Sequence, residues 1–180
     1  MPVSDYEIDR LRELTNVGAG HAATAFSQLA GRQILMSVPC LREPQAWSLG
    51  EDWPTGVFFE LEGDFGGLVG ILFRADMRDS LLKKLLGAEA QHPQDNVESA
   101  LMEVGNILVS RVATAIADTL ANRILPSVPM LMMSDAGWEL ERLALGRPDG
   151  GAIRIECELS DATGELGGLL VMFPDAPKVQ

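Results

Sequence analysis

Two pairs of polar residues recur in the chain at the same spacing, and their side chains suit one kind of chemistry. Glu13 is followed three positions later by Asn16, and Glu103 is followed in the same way by Asn106. A glutamate offers a fixed negative charge that can dock a lysine. A carboxamide both donates and accepts hydrogen bonds, so it can hold a water molecule in position without exchanging a proton. Each pair is therefore suited to docking a cation and orienting a water.

Each pair belongs to a longer motif. Asp9 and Ser99 stand four positions before the two glutamates, so both triples have the spacing i, i+4, i+7. On a helix these offsets stay inside a stripe about 60° wide, which lies away from most apolar positions and should face solvent. A proline follows each asparagine after 23 positions, at Pro39 and Pro129, and is predicted to lie in the first strand after its helix. With average composition the pattern should arise about once in 10⁵ start positions, so two copies are specific.

Both motifs lie in segments that predict long helices. Apolar residues recur at helical spacing through each segment. In the first segment Ser4 and Glu7 can form a capping box, and Gly31 can end the helix. In the second segment Asp95 and Glu98 can cap the helix in the same manner. The motif residues are thus predicted to project from two long, capped helices.

Strand-like segments follow each helix, three at a time. They are Gln33–Leu41, Gly56–Glu62 and Gly66–Phe73, and then Val128–Met133, Ala152–Leu159 and Gly167–Phe173. The first set is followed by a short helix at Arg78–Leu86 and a polar joint at Gly87–Asn96. This order indicates an internal duplication, which predicts one domain over residues 1–180 made of two repeats at about 1–90 and 91–180. The predicted fold class is an α/β (α+β) sandwich: one antiparallel sheet with the two long helices on one face.

Composition and missing motifs exclude several functions. The net charge of −12 disfavours binding to nucleic acid, and no apolar run approaches the length of a membrane span. Cys40 and Cys157 are far apart and form no CxxC, which favours two buried, reduced thiols in a cytoplasmic protein over a disulfide. His21 and His92 have no neighbouring metal ligands, so no metal site is expected. Nucleophile elbow, P-loop and HExxH motifs are absent from the sequence.

The two copies, D-x3-E-x2-N-x22-P and S-x3-E-x2-N-x22-P, resemble the signature of the CheC/CheX/FliY phosphatases of bacterial chemotaxis. Two motifs in a stand-alone chain resemble the CheC type more than the CheX type, which carries one motif, or the FliY type, which adds other domains. The resemblance covers essentially the whole chain. It implies a pseudo-twofold CheC-like fold and hydrolysis of the phospho-aspartate of the response regulator CheY in two-component signalling. It also implies that this chain binds no cofactor and that Mg²⁺ is supplied by the receiver.

The resemblance also assigns roles to the motif residues. Glu13 and Glu103 would pair with the lysine of the receiver's active site. Asn16 and Asn106 would place a carboxamide beside the phosphoryl group and orient a water for in-line attack, as the glutamine of small GTPases does. Four further motif residues would shape the site rather than react: Asp9, Ser99, Pro39 and Pro129.

The segment Ser134–Leu145 breaks the repeat and predicts a short inserted helix. It can be a surface helix or a cover for a strand edge. In CheC proteins a similarly placed helix binds the deamidase CheD, and that likeness implies docking through Asp135, Ala136 and Trp138. A non-catalytic adaptor that binds CheD or a receiver therefore remains an alternative function. A structural part of the flagellar switch, like the FliM middle domain, is a weaker one because that domain lacks the Glu/Asn stripe. The duplication favours a monomer.

Overall fold

The computed structural model describes residues 3–42, 48–89, 91–148, 151 and 153–175, which form four α-helices and one antiparallel sheet of eight strands. The helices are α1 (Asp5–Ala30), α2 (Ala75–Leu86), α3 (Gln94–Leu120) and α4 (Ala136–Leu145). The strands are β1 (Leu35–Met36), β2 (Cys40–Arg42), β3 (Thr55–Gly63), β4 (Gly67–Phe73), β5 (Ile124–Pro126), β6 (Met130–Met132), β7 (Arg154–Ser160) and β8 (Gly167–Pro174). The predicted segment Ala152–Leu159 begins at a residue that lies outside the described residues, and β7 is observed from Arg154.

The strand order links the first and second halves of the chain. It runs β1-β7-β8-β4-β3-β5, with β2 also paired to β7 and β6 also paired to β3. The two central strands, β4 and β8, come from different halves and pair with each other. The short edge strands are exchanged: β1 and β2 pair with a strand of the second half, and β5 and β6 pair with a strand of the first. Neither half therefore completes its own sheet.

Two hydrophobic layers cover the two faces of the sheet. Helices α1, α2 and α3 pack on one face against residues such as Ile71 and Phe73. Helix α4 packs on the opposite face, where Leu140 meets Leu72. Because β4 and β8 are buried on both faces, they have continuous apolar runs instead of alternating patterns. The predicted sandwich, with one antiparallel sheet and two long helices on one face, is confirmed.

The start and end of α1 follow the predicted local chemistry. The Ser4 hydroxyl oxygen accepts the Glu7 N–H at 3.3 Å, and the Glu7 carboxylate accepts the Ser4 N–H at 2.8 Å. This capping box satisfies two donors that the helix leaves unpaired. Gly31 follows the helix in the left-handed conformation, with φ 63°, where glycine has no steric penalty.

The predicted cap of α3 is wrong. The helix begins at Gln94, directly after Pro93, and no side chain caps its first turn. Asp95 lies inside that turn, where its carboxylate still interacts favourably with the helix dipole. Glu98 accepts a hydrogen bond from the Gln94 side chain at 3.2 Å. The helix starts before the predicted cap because the Pro93 carbonyl already accepts the first hydrogen bonds of the helix, from the Asn96 N–H at 3.0 Å and the Val97 N–H at 3.2 Å.

In each half of the chain, the segment that was predicted to be the first strand is interrupted. The segment Gln33–Leu41 contains two short strands, and Val128–Met133 contains only β6, because β5 was not predicted. Pro39 and Pro129 lie in the gaps between the short strands, not within them as predicted. A proline has no N–H to contribute to a ladder, so it is placed where the ladder is broken.

Cys40 is exposed, which corrects the prediction that both thiols are buried, whereas Cys157 is buried and both are free. Cys40 is paired in register with Glu156, so its side chain and that of Cys157 point to opposite faces of the sheet. Burial, partly offset by hydrogen bonding to Ser37, raises the pKa of the Cys157 thiol.

Among the described helices, α3 is long and apolar enough to cross a membrane, with a mean hydropathy of 1.4. Half of that stretch is buried inside the fold, as in core helices of soluble proteins. Its hydropathy is therefore weak evidence for a membrane span.

Candidate active site

The motif side chains of both helices point to solvent, as their helical spacing predicts. The exposed residues are Asp9, Glu13 and Asn16 on α1, and Ser99, Glu103 and Asn106 on α3. From residues 13–28 and 103–118, the order of buried, half-buried and exposed positions is the same in the two helices. Both copies of the motif therefore occupy the same local environment.

Close packing of the backbone fixes how α1 and α3 are rotated about their own axes, so that the motif residues face solvent. A β-carbon added to Gly105 would lie 2.7 Å from the Val57 β-carbon of β3. One added to Gly18 would lie 2.9 Å from a methyl carbon of Val112, where α1 meets α3. Real side chains do not approach this closely, so glycine is required at both contacts. Because the opposite sides of the helices are buried so tightly, the motif residues cannot turn inward.

The carboxamides and carboxylates of the two pairs have no internal partners. Within the part of the chain that the structure describes, Asn16 and Asn106 make no side-chain hydrogen bond, and Glu13 and Glu103 form no ion pair. Asparagine is about 0.5 kcal/mol less favourable than alanine inside a helix. No side-chain hydrogen bond to the described residues offsets that cost, so both helices carry an unfavourable residue that is exposed to a partner.

The supporting residue Asp9 lies near Arg12, with 3.7 Å between carboxylate oxygen and guanidinium nitrogen. Both side chains are exposed, at 77% and 49%, so this ion pair contributes little to stability. Ser99 occupies the equivalent position on α3 and is also exposed. The two sites thus differ in the charge of this first motif residue.

Each motif proline belongs to a three-residue β-bulge in the strand segment that follows its helix. From Met36 to Cys40 the chain advances four residues while the partner strand β7 advances three, from Leu159 to Glu156. Ser37 holds this β-bulge: its N–H donates to the Glu158 carbonyl at 2.8 Å, and its hydroxyl accepts the Glu158 N–H at 2.9 Å. Pro39 ends the bulge and is buried.

The second half repeats this bulge. From Pro126 to Met130 the chain again advances four residues against three on β3. The Ser127 N–H donates to the Glu60 carbonyl at 2.8 Å, and its hydroxyl accepts the Glu60 N–H at 2.9 Å. Sequence reasoning found both prolines and missed the serine and valine that precede them. Aligning the halves at a shift of 90 positions reveals the repeated Ser-Val-Pro.

The three residues predicted to dock a second partner lie at the start of α4, across the sheet from the motif. Asp135 is exposed and has a left-handed backbone, with φ 58°. Trp138 is 52% exposed. Ala136 is fully buried, and its β-carbon faces Gly56, so its side chain is closed to a partner in this conformation. Asp135 and Trp138 remain accessible.

Charged groups elsewhere stabilise the fold. The Asp161 carboxylate accepts a hydrogen bond from Arg32 at 3.0 Å and bonds to Thr163. Desolvation acts to raise the pKa of Asp161, but these hydrogen bonds together hold it below its usual value. Among the described residues, no group of three histidine, cysteine or acidic side chains is arranged to hold a metal ion.

Comparison with known proteins places both motif copies in one family. The profile of the CheC-like family matches residues 7–41 and 97–133, which contain the two motifs from first residue to proline. The chain is 30% identical over 188 aligned positions to the CheY-P phosphatase CheC of Bacillus subtilis (strain 168). That alignment covers 96% of this chain and 90% of the relative.

Solved structures share the fold at lower sequence identity. Thermotoga maritima FliY matches with a TM-score of 0.65 and 18% identity, over 96% of this chain and 91% of that one. A chain of the CheX-CheY-BeF3-Mg²⁺ complex from Borrelia burgdorferi matches with a TM-score of 0.65 and 15% identity, over 89% of this chain and 97% of that one.

Proposed function

The chain belongs to the CheC-like family, and from this we propose that it hydrolyses the phospho-aspartate of a CheY-type receiver domain. The reaction would take place at two sites, Glu13 with Asn16 and Glu103 with Asn106. One observation carries the proposal: each site presents a carboxylate and a carboxamide that are exposed, unpartnered among the described residues and in matching environments. The relative from B. subtilis is named as a CheY-P phosphatase, which supports the same activity here.

The proposed chemistry relies on positioning. A phospho-aspartate is a reactive acyl phosphate, and the receiver supplies the Mg²⁺ and the lysine that neutralise phosphoryl charge. Asn16 or Asn106 orients a water in line with the phosphorus. The water oxygen forms a new bond to phosphorus as the bond to the aspartyl oxygen breaks, which yields the aspartate carboxylate and dihydrogen phosphate. Such positioning can contribute about 10²-fold or more to the rate.

The glutamate would set the register of the complex. Glu13 and Asn16 are separated by about 4.5 Å along the helix axis, and Glu103 and Asn106 have the same separation. A glutamate that pairs with the receiver's lysine would place the carboxamide about one helical turn away, beside the phosphoryl group. An ion pair of this kind is stronger in the complex than in water because docking excludes solvent.

The test is loss of ³²P from a phosphorylated CheY-type receiver with Mg²⁺ present. We expect the wild-type chain to accelerate the loss and the double variant Asn16→Ala/Asn106→Ala to abolish the acceleration. The matched control is Asn96→Ala/Asn122→Ala, which makes the same substitution at exposed positions outside the motif and should retain wild-type turnover. Normal turnover by the motif variant would refute the assigned mechanism, and the single variants would rank the two sites.

A second candidate function is a non-catalytic adaptor, favoured by the exposed Trp138 on α4. In this case the chain would bind a receiver, or the deamidase CheD through Asp135 and Trp138, without hydrolysis. Pull-down of each partner beside the ³²P assay separates the two functions, because the adaptor forms complexes without faster dephosphorylation. For either function we propose a cytoplasmic monomer. Sedimentation of the purified chain tests the monomer.

A further inference from the structure

An open groove lies between the N-terminal half of α1, the end of α3 and the turn that joins β3 to β4, and it encloses about 1040 Å³. Its floor consists of buried and half-buried apolar side chains, whereas its rim is charged and mostly exposed. Such a groove accepts the apolar face of another element, and the rim decides which charge is preferred there. The floor is formed by Leu11, Leu14, Leu61, Phe65 and Leu120.

The corresponding place in the other half of the fold is filled by α2. This helix packs against α1, α3 and β8, and a β-carbon on Gly31, at the end of α1, would lie 3.6 Å from the Lys84 side chain. A shift of 90 positions relates Gly31 to Ala121, at the end of α3. Ala121 stands between Leu120 and Asn122, which both line the open groove. The open groove is therefore the counterpart of the one that α2 covers.

The strand that leads into α2 also has a counterpart. In the first half β4 ends at Phe73 and α2 begins at Ala75, so the helix returns directly over the covered groove. In the second half β8 ends at Pro174, and Asp175 after it lines the open groove. Within the described residues, which end at 175, no helix follows β8. The fold repeats the groove, and the described residues fill it once.

The two grooves have similar apolar positions on their long helices and different rims. The shift of 90 positions relates Leu11 to Leu101, so both helices carry a leucine there. The rim positions Glu7 and Arg10 of the open groove correspond to a valine and an alanine on α3. An apolar rim suits an element that stays in contact permanently, whereas a polar rim is typical of surfaces that bind and release a partner.

Carboxylates at the open rim lack the cation that neutralises their counterpart. Glu62 and Asp161 are equivalent, since each follows the residue that pairs with the first residue of the next strand. Asp161 pairs with Arg32 at 3.0 Å, but the shift of 90 positions replaces Arg32 with Asn122. Among the described residues, neither Glu62 nor Asp64 forms an ion pair. Both charges are therefore available to a cationic occupant.

The rim as a whole is negative. It carries five carboxylates and two guanidinium groups. One of these guanidinium groups, on Arg147, already pairs with Asp175 and with Glu60, so it does not offset the remaining carboxylates. The excess of negative charge favours an occupant with lysine or arginine at its edge and disfavours an acidic one.

We propose that the open groove docks an amphipathic helix of a partner protein, with leucines on its apolar face and lysine or arginine beside them. The element that fills the equivalent groove has this chemistry: α2 buries Leu81 and Leu82 and carries Lys83 and Lys84 in its last turn. Tyr6, which is 74% exposed at the groove, supplies an aromatic side chain for the partner to cover. The groove uses neither Glu/Asn pair, so this inference does not depend on the proposed phosphatase activity.

The probe for the test is a peptide with the sequence of α2, residues 75–86, acetylated and amidated at its ends and added to the full chain. Tyr6 is the one tyrosine of the sequence, so labelling with fluorotyrosine gives a single ¹⁹F signal at the groove. We expect the peptide to shift this signal saturably and a scrambled peptide of the same composition to leave it in place. An unmoved signal at about 1 mM peptide, or an equal shift by the scrambled peptide, would overturn the inference.

Variants of the rim test the charge preference by fluorescence anisotropy of the labelled peptide. Glu62→Lys/Asp64→Lys should weaken binding about tenfold at low ionic strength and less at high salt. The matched control, Glu51→Lys/Glu89→Lys, makes the same charge change at exposed positions outside the groove and should keep the Kd within about twofold. Equal weakening by both pairs would indicate attraction to net charge alone and would refute a docking site.

The aromatic contact is tested by Tyr6→Ala, which should weaken peptide binding about fivefold. Thermal unfolding should be unchanged in all these variants because the substituted side chains are exposed. Unaltered binding by Tyr6→Ala together with Glu62→Lys/Asp64→Lys would place the peptide elsewhere and contradict the inference.

Two other occupants are separated by further measurements. Tighter peptide binding after removal of residues 176–180 would assign the groove to the chain's own end and overturn the assignment to a partner. A dimer of the wild-type chain that dissociates in Glu62→Lys/Asp64→Lys, seen by sedimentation, would assign it to a second copy with the same consequence. In the ³²P assay this variant should keep wild-type turnover, and lost turnover would show that the groove belongs to the receiver contact instead.

Discussion

Replacing Asn16 and Asn106 with alanine should stabilise the protein while it removes the proposed activity. Both asparagines lie inside long helices, are exposed and make no side-chain hydrogen bond with the described residues. Alanine is favoured over asparagine in a helix interior by about 0.5 kcal/mol at each position. Since no internal contact is lost, the double variant should gain about 1 kcal/mol in unfolding free energy. For a chain of this length that gain raises Tm by about 2–4 °C.

Urea denaturation and thermal unfolding followed by circular dichroism measure this gain. The control Asn96→Ala/Asn122→Ala should change stability by less than about 0.5 kcal/mol, because Asn96 lies in the first turn of α3 and Asn122 follows its end. A loss of stability in Asn16→Ala/Asn106→Ala would show that the carboxamides support the fold. That result would refute the reasoning that they are held available for a partner.

Three further predictions follow from the same structure. Glu13→Gln/Glu103→Gln should raise KM for the phosphorylated receiver about tenfold and flatten its dependence on ionic strength, measured in the ³²P assay at low and high salt, because the docking charge is removed. Gly105→Val should cost about 2 kcal/mol or more in urea denaturation, because its side chain would collide with β3, and an unchanged midpoint would contradict the packing. The pKa of Asp161 is held low by Arg32 and Thr163 in the folded state, so its stabilisation is present above its usual value of 3.8 and is lost as pH falls through the folded value. Asp161→Asn should therefore lower stability at neutral pH, and the difference from wild type should shrink in acid; a constant difference would contradict the linkage.

Local chemistry made several parts of the fold predictable. The capping box of Ser4 and Glu7 and the left-handed Gly31 depend on residues that are neighbours in sequence, so the ends of α1 could be identified directly. Neighbouring residues did not predict the start of α3 correctly. Asp95 and Glu98 have the spacing of a capping pair, but the helix already begins at Gln94, directly after Pro93. Two local patterns competed there, and sequence alone did not rank them.

Local sequence patterns could not predict which strands pair when those strands are far apart in the chain. The interruption of each first strand depends on its partner, since Ser37 is held by Glu158 and Ser127 by Glu60. Those partners lie in the opposite halves of the chain. The repeat predicts what each half contains and does not predict that the halves exchange their edge strands. Cys40 is exposed for the same reason, because it sits on an exchanged edge strand.

The sequence by itself determined the two Glu/Asn pairs, their helical stripe and their exposure, because a helix converts spacing into direction without help from the rest of the fold. Only the tertiary structure decided the shape of the strand segments that follow the two helices. The two Ser-Val-Pro segments, 37–39 and 127–129, form β-bulges, and a bulge exists only when one strand advances further than the strand paired to it. That difference in register belongs to two segments far apart in the chain, so it arises only when they pair.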